Sequence, residues 1–132
     1  MAKMKILLVD DEPDYQRIME SRILHWGYDV IKACNGKEAL EALREKKPDV
    51  IILDYMMRDM DGIQVLEEIR KLDKDIPVIM LTAYPDERSL KGTKELGISA
   101  FIPKLSIYSD IQFSLKEVLS MVEKNKIKEE KK

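Results

Sequence analysis

Five short apolar runs alternate along the chain with segments whose apolar residues recur at helical spacing. The runs are Lys5 to Asp10, Asp29 to Ala33, Val50 to Asp54, Val78 to Leu81 and Ala100 to Ile102. Each has the length of a strand. Parallel strands need a crossover between them, so a strand-helix repeat predicts a parallel sheet covered by helices on both faces. A strand buried on both faces reads as a continuous apolar run, whereas an edge strand tolerates charge and interruption. The first, third and fourth runs are continuous. The second mixes Asp29 and Lys32 with Val30 and Ile31, and the fifth stops at Pro103. Central and edge places follow, giving the order 2-1-3-4-5.

The predicted fold is therefore α/β, a doubly wound (βα)5 sandwich with a five-stranded parallel sheet of flavodoxin-like order. Helix boundaries support it. Pro13 suits a first helical turn, Asn35 can cap a helix with Glu38 three residues on, and Asp61 and Asp86 can cap two more. Gly27 and Gly97 suit helix exits. In the first helix Tyr15, Ile18, Met19, Ile23 and Trp26 fall on one side and are expected in the core. Ile63, Leu66, Ile69 and Leu72 form a similar stripe, and Ile111, Leu115, Val118, Leu119 and Val122 form the last. Gly92 interrupts the fourth helical pattern at a cost of roughly 1 kcal/mol relative to alanine, so that helix is expected to be the most mobile.

A chain of 132 residues can bury a core without disulfides or a structural metal. Residues 1–122 are expected to form one domain. The lysine-rich segment 123–132 is expected to be a charged tail, a frayed helix end or disordered. The apolar runs are far shorter than a bilayer span of about 20 residues, and the N-terminus lacks the pattern of a secretion signal, so a cytoplasmic location is expected. A formal net charge of −2 offers no general attraction for nucleic acid, and none is expected to contact this chain directly. Cys34 is the only cysteine. It is expected to be a small half-buried residue, since one thiol builds neither a disulfide framework nor a zinc site.

In open parallel sheets, ligands bind beyond the carboxyl ends of the strands. The first run ends in Asp10-Asp11-Glu12, the third in Asp54, the fourth in Thr82-Ala83 and the fifth in Pro103-Lys104. Singly these are ordinary residues for caps and strand ends. Brought to one rim, they assemble carboxylates, a hydroxyl and an ammonium group. Converging carboxylates repel one another and call for a cation, and oxygen-only ligands favour Mg²⁺, with Asp11 and Asp54 as direct ligands. A carboxylate can also be the nucleophile in phosphoryl transfer, where catalysis rests on positioning and on neutralising the phosphoryl oxygens. Mg²⁺, Lys104 and the Thr82 hydroxyl would supply that neutralisation. The lone His25, near the end of the first helix and remote in sequence from the strand ends, is assigned no role.

Nearly the whole chain resembles the response-regulator receiver family of two-component signalling, in the manner of chemotaxis regulators. The resemblance runs through Leu7-Leu8-Val9-Asp10-Asp11-Glu12, Leu53-Asp54-Tyr55-Met56-Met57, Met60-Asp61-Gly62, Leu81-Thr82-Ala83 and Pro103-Lys104. It implies that Asp54 accepts a phosphoryl group from a histidine-kinase phosphohistidine, from a phosphotransfer protein or from a small phosphodonor. It also implies that Asp10 and Asp11 are the acidic pair that holds Mg²⁺, with the backbone carbonyl of Met56 as a further ligand. Thr82 matches the hydroxyl that turns toward the phosphoryl group, Lys104 the ammonium that pairs with it, and Phe101 the aromatic that rotates inward. Phe101 also has a plain reading as an edge-strand aromatic packed on a helix. The implied readout is a population shift of the face made by helix four, strand five and helix five, passed to a downstream target or a missing output domain, with a phosphorylation-dependent dimer as one form. Such a chain catalyses only its own phosphorylation and dephosphorylation.

Two departures from the family pattern stand out. Lys104 is followed by Leu105 and Ser106 instead of proline; a non-proline cis bond costs about 2.5–4 kcal/mol, so either a trans bond with a rearranged loop or a strained cis bond is expected. Arg58 also stands where many members carry proline, leaving its loop less constrained. Met56 and Tyr84 flank the phosphoryl site and offer little to orient a water, which predicts slow self-dephosphorylation. Rival readings are an aspartyl-phosphate phosphatase, a flavin carrier and a pseudo-receiver that only mediates contacts. The first is opposed by Met56, where haloacid-dehalogenase-type phosphatases carry a second aspartate. The second is opposed by the acidic first strand-helix turn, and the third by the intact acidic set.

Overall fold

Alternation of side chains across each strand builds two apolar layers from one sheet. A computed structural model of the chain describes residues 3–82, 91, 94–103 and 110–130, with backbone only at 82, 103, 110–114, 129 and 130. The strands are β1 (Lys5–Val9), β2 (Asp29–Ala33), β3 (Val50–Asp54), β4 (Val78–Thr82) and β5 (Ala100–Pro103). Helices α1 (Pro13–His25), α2 (Gly36–Lys46) and α3 (Gly62–Leu72) follow the first three strands, and a C-terminal helix (Asp110–Glu130) follows β5. All strand pairs are parallel, in the order β2-β1-β3-β4-β5. This is the doubly wound arrangement that the apolar runs predict.

Ile6 and Leu8 of β1, Val50 and Ile52 of β3, and Ile79 and Leu81 of β4 face α1 and the C-terminal helix, where they meet Tyr15, Met19, Ile23, Leu115 and Leu119. The intervening residues Leu7, Val9, Ile51, Leu53, Val78 and Met80 face α2 and α3 and pack with Ala39, Leu43, Val65, Leu66 and Ile69. Two-residue alternation along a strand sends neighbours to opposite faces, and each fully buried aliphatic side chain contributes about 1.5–3 kcal/mol. The edge strand β2 keeps Asp29 and Lys32 in solvent.

Several faces differ in detail from the periodicity. On α1, Tyr15, Met19 and Ile23 are buried, Trp26 just beyond its end is half-buried, and Ile18 is exposed, while the polar Gln16 is buried. On α3 the buried stripe is Val65, Leu66 and Ile69, while Leu72 lies exposed at the last turn. Cys34 is exposed rather than half-buried, because it follows β2 at the edge of the sheet.

The helix ends are held as their residue types require. Pro13 opens α1. Asn35 caps α2 by accepting from the Glu38 N–H at 2.8 Å. Asp61 and Gln64 form a reciprocal capping box on α3, at 2.9 and 3.0 Å. Gly27 and Gly97 take φ of 98° and 73°, a left-handed region open to glycine at little cost. At the opposite end of α3, Arg70 donates to the carbonyls of Leu96, Ile76 and Gly97 at 2.8, 2.8 and 3.0 Å, tying the helix to the approaches of β4 and β5. Asp86, Gly92 and Tyr84 lie outside the described residues.

The last helix, expected to run to about Val122, continues to Glu130. Two contacts carry it past the sheet: Lys126 pairs with Asp49, and Glu123 comes close to the Tyr28 phenol. Burial, with Glu123 close by, raises the Tyr28 phenol above its ordinary 10.0. A phenol raised by folding contributes stability that is complete below its unfolded value and is lost as pH climbs through the raised one. Urea unfolding as a function of pH should therefore show stability falling above about pH 10, and Tyr28→Phe should remove that part of the fall; an unchanged profile in the variant would contradict the assignment.

Candidate functional site

Parallel pairing of β1 with β3 sets Val9 opposite Leu53, so the next residues, Asp10 and Asp54, leave adjoining strands side by side. Both follow residues that face α2 and α3, so strand alternation turns both toward the α1 face. They are buried, at 1% and 2% exposure. Glu12 stands at the N-cap of α1, directly before Pro13. Carboxylate oxygens of Asp10, Glu12 and Asp54 all lie within 4.8 Å of one another. Two ionised carboxylates at such a separation repel by roughly 4 kcal/mol at an effective dielectric near 20. Hydrogen bonds or a cation must offset that repulsion. An all-oxygen donor set of this kind suits a hard divalent cation, and Mg²⁺ fits it.

Main-chain donors hold the two aspartates. Asp10 Oδ1 accepts from the Glu12 N–H at 2.9 Å, and Asp54 Oδ1 from the Met56 N–H at 3.3 Å. The end of β1 is fixed from below by Gln16. Its buried amide donates to the carbonyls of Ala33, Asp10 and Leu8, at 2.9, 3.3 and 3.4 Å, so two N–H groups are shared among three acceptors. A polar residue inside the apolar side of α1 is the sequence signal for this role. Glu12 carries a similar one, as an acidic residue directly before a helix-opening proline and just after the end of β1.

The loop after β3 is tied in several places. The Tyr55 N–H donates to the Leu81 carbonyl at 2.8 Å, and the Gly62 N–H to the Tyr55 carbonyl at 2.7 Å. A Cβ at Gly62 would lie 2.8 Å from Tyr55 Cα and 2.9 Å from Met80 Sδ. Only glycine allows α3 to start this close to Asp54. Asp59 accepts from the Gly36 N–H at 3.0 and 3.3 Å, joining the loop to the start of α2.

The remaining expected site residues are distributed as follows. Asp11 stands next to the cluster, but its Oδ2 accepts from the Arg58 N–H at 3.0 Å, with Arg58 Nε at 3.9 Å. Met56 is exposed, two residues beyond Asp54. Thr82 ends β4, its backbone beside Pro103 of β5. Phe101, on β5, is half-buried against the α2 and α3 layer. The side chain of Thr82, all of Lys104 and the Lys104–Leu105 bond lie outside the described residues. No helix among the described residues is long and apolar enough to cross a membrane.

Comparison with known proteins gives a consistent result. Residues 6–116 match the response regulator receiver domain. The probable transcriptional regulator ycf27 of Porphyridium aerugineum is 40% identical over 124 residues, covering 94% of this chain and 51% of that protein. The transcriptional regulatory protein ZraR of Klebsiella oxytoca is 36% identical over 115 residues, covering 87% and 26%. The chain thus spans about half the length of the ycf27 relatives it matches. Among solved structures, the chemotaxis protein CheY4 of Vibrio cholerae superposes with a TM-score of 0.82 at 28% identity, covering 92% of this chain and 99% of that one. The response regulator TrrA of Thermotoga maritima, solved in complex with Mg²⁺-BeF, gives 0.76 at 32% identity, covering 87% and 98%. The family match spans both the acidic strand ends and the sheet that carries them, and the chain belongs to the response regulator receiver domain family.

Proposed function

We propose that this chain is the phosphoacceptor module of a two-component system and that Asp54 takes the phosphoryl group. The observation that carries this reading is the burial of Asp54 at the end of a central strand, within 4.8 Å of the Asp10 and Glu12 carboxylates. A carboxylate so placed is held by the Met56 N–H on one oxygen. Its other oxygen is the nucleophile: it attacks phosphorus, a P–O bond forms, and the P–N bond of the donor phosphohistidine breaks with its electron pair left on the imidazole nitrogen. The product is an acyl phosphate on Asp54.

Asp10, Asp11, Asp54 and the Met56 carbonyl are the residues to hold Mg²⁺. When bound, that ion would neutralise charge on the phosphoryl oxygens as they gather. The acidic run of β1 thereby has a partner for its own charge. Thr82 and Lys104, from the ends of β4 and β5, are assigned the hydroxyl and ammonium contacts to the phosphoryl group. Phe101 lies on β5, half-buried against the α2 and α3 layer, and we assign it the switch that couples phosphorylation to the face of helix four, strand five and helix five. The donor is a histidine kinase or phosphotransfer protein. The names of the ycf27 and ZraR relatives support a transcriptional output region as the recipient of the signal.

Met56 presents an exposed thioether beside the acceptor, a poor orienter of water. Hydrolysis of the Asp54 acyl phosphate should accordingly be slow. Met56→Asn, which adds an amide able to hydrogen-bond an attacking water, should shorten the phosphorylated lifetime severalfold; a lifetime already as short as that of fast chemotaxis-type receivers would refute the reading. The acceptor role is tested by incubating the protein with acetyl phosphate and Mg²⁺ and measuring its intact mass. Wild type should gain one phosphoryl group, chelation of Mg²⁺ should suppress the gain, and Asp54→Asn should abolish it. Equal gain in the variant, or none in wild type, would overturn the proposal.

A further inference from the structure

Among the described residues, the contacts of the Asp11 carboxylate are both to Arg58. Its Oδ2 accepts from the Arg58 main-chain N–H at 3.0 Å and lies 3.9 Å from Nε. Asp11 is mostly sheltered, at 16% side-chain exposure, whereas the Arg58 side chain is 92% exposed. The two contacts therefore differ in weight. A hydrogen bond from a fixed main-chain N–H to a carboxylate is charge-assisted and persistent, while a guanidinium in open solvent contributes weakly and is screened by salt. Arg58 is also held where it can do this. Met57 before it packs against the α2 and α3 layer, and Asp59 after it is bonded to the Gly36 N–H at the start of α2. The Asp11 carboxylate is thus drawn toward this loop, and the clustered carboxylates are those of Asp10, Glu12 and Asp54.

We propose that Arg58 is a positioning residue that sets the cation affinity of the acidic site by holding Asp11 back, chiefly through its main-chain N–H. The inference rests on the reading of the site as a divalent-cation site. For Asp11 to turn to a cation, its Oδ2 must leave the Arg58 N–H, so the free energy of that bond is subtracted from binding. A residue without an N–H at position 58 would remove the competition.

The test is isothermal titration of the unphosphorylated protein with Mg²⁺, at low and at physiological ionic strength, with thermal melting to show that each variant is folded. Arg58→Pro removes both contacts and should bind Mg²⁺ about tenfold more tightly. Arg58→Ala keeps the N–H and should bind about twofold more tightly at low salt, with the gain fading as salt rises. Placing each change on an Asp11→Asn background should erase its effect, a non-additivity that a loop merely loosened by mutation would not produce. Affinity unchanged or weakened in Arg58→Pro would overturn the proposal, as would an equal gain in Arg58→Ala or full additivity with Asp11→Asn. Should Arg58→Pro fail to fold, semisynthetic replacement of the Arg58 N–H by an ester oxygen takes its place and should give a similar gain, and no gain in that protein would overturn the proposal. Wild type that binds no Mg²⁺ at millimolar concentration would sink the cation reading itself, whereas binding that ignores residue 58 would sink only the role of Arg58.

Discussion

Asp10 and Asp54 stand side by side because β1 and β3 pair in parallel with Val9 opposite Leu53. A slip of one residue in either strand would turn its aspartate to the opposite face of the sheet and bring an aliphatic side chain to the site. The register is held by burial on both sides: the residues leading into these aspartates are fully apolar, and they alternate between two separate layers. The charge at the rim depends on the oil beneath it. Two carboxylates nearly removed from water are tolerated there because main-chain N–H groups are directed at them before any partner arrives.

The parts that hold the rim also determine what it can do. Gln16 joins the ends of β1 and β2 from inside the α1 layer, and Gly62 lets α3 begin against the backbone of Asp54. Asp59 and the Asp61–Gln64 capping box fix the loop after β3 at its middle and its end. The strand β3 is therefore tied on both sides, and the Asp54 carboxylate is presented from a fixed backbone. Rigid placement of a nucleophile is the main contribution a protein can make to phosphoryl transfer, since the covalent chemistry itself is simple. The Asp11 to Arg58 contact draws one more carboxylate of the acidic run toward the loop after β3.

Much of this was legible in the chain because it is carried by local rules. Strand order follows from which runs are continuous and which are interrupted, Asn35 and Asp61 cap α2 and α3 where short-range hydrogen bonding demands it, and Pro13 opens α1. What escaped the periodicity was decided by tertiary surroundings. Ile18 is apolar, yet it falls outside the strip that the sheet covers, and Gln16 is polar, yet three carbonyls at the strand ends give it a place inside. Leu72, the last residue of α3, is left exposed where the helix ends. Glu12 was visible in the acidic run, but its convergence with Asp54 depends on how α1 leaves the sheet. The lysine-rich end of the last helix looked like a solvated tail because its anchors, Asp49 and Tyr28, come from distant strand starts.

The most direct test of the account is chemical mapping of the acceptor. After incubation with acetyl phosphate and Mg²⁺, sodium borohydride would reduce an aspartyl phosphate to homoserine, and peptide mass spectrometry would locate the change. The account predicts homoserine at position 54 alone. Reduction at Asp10, Asp11, Glu12 or any other carboxylate, with Asp54 intact, would contradict it.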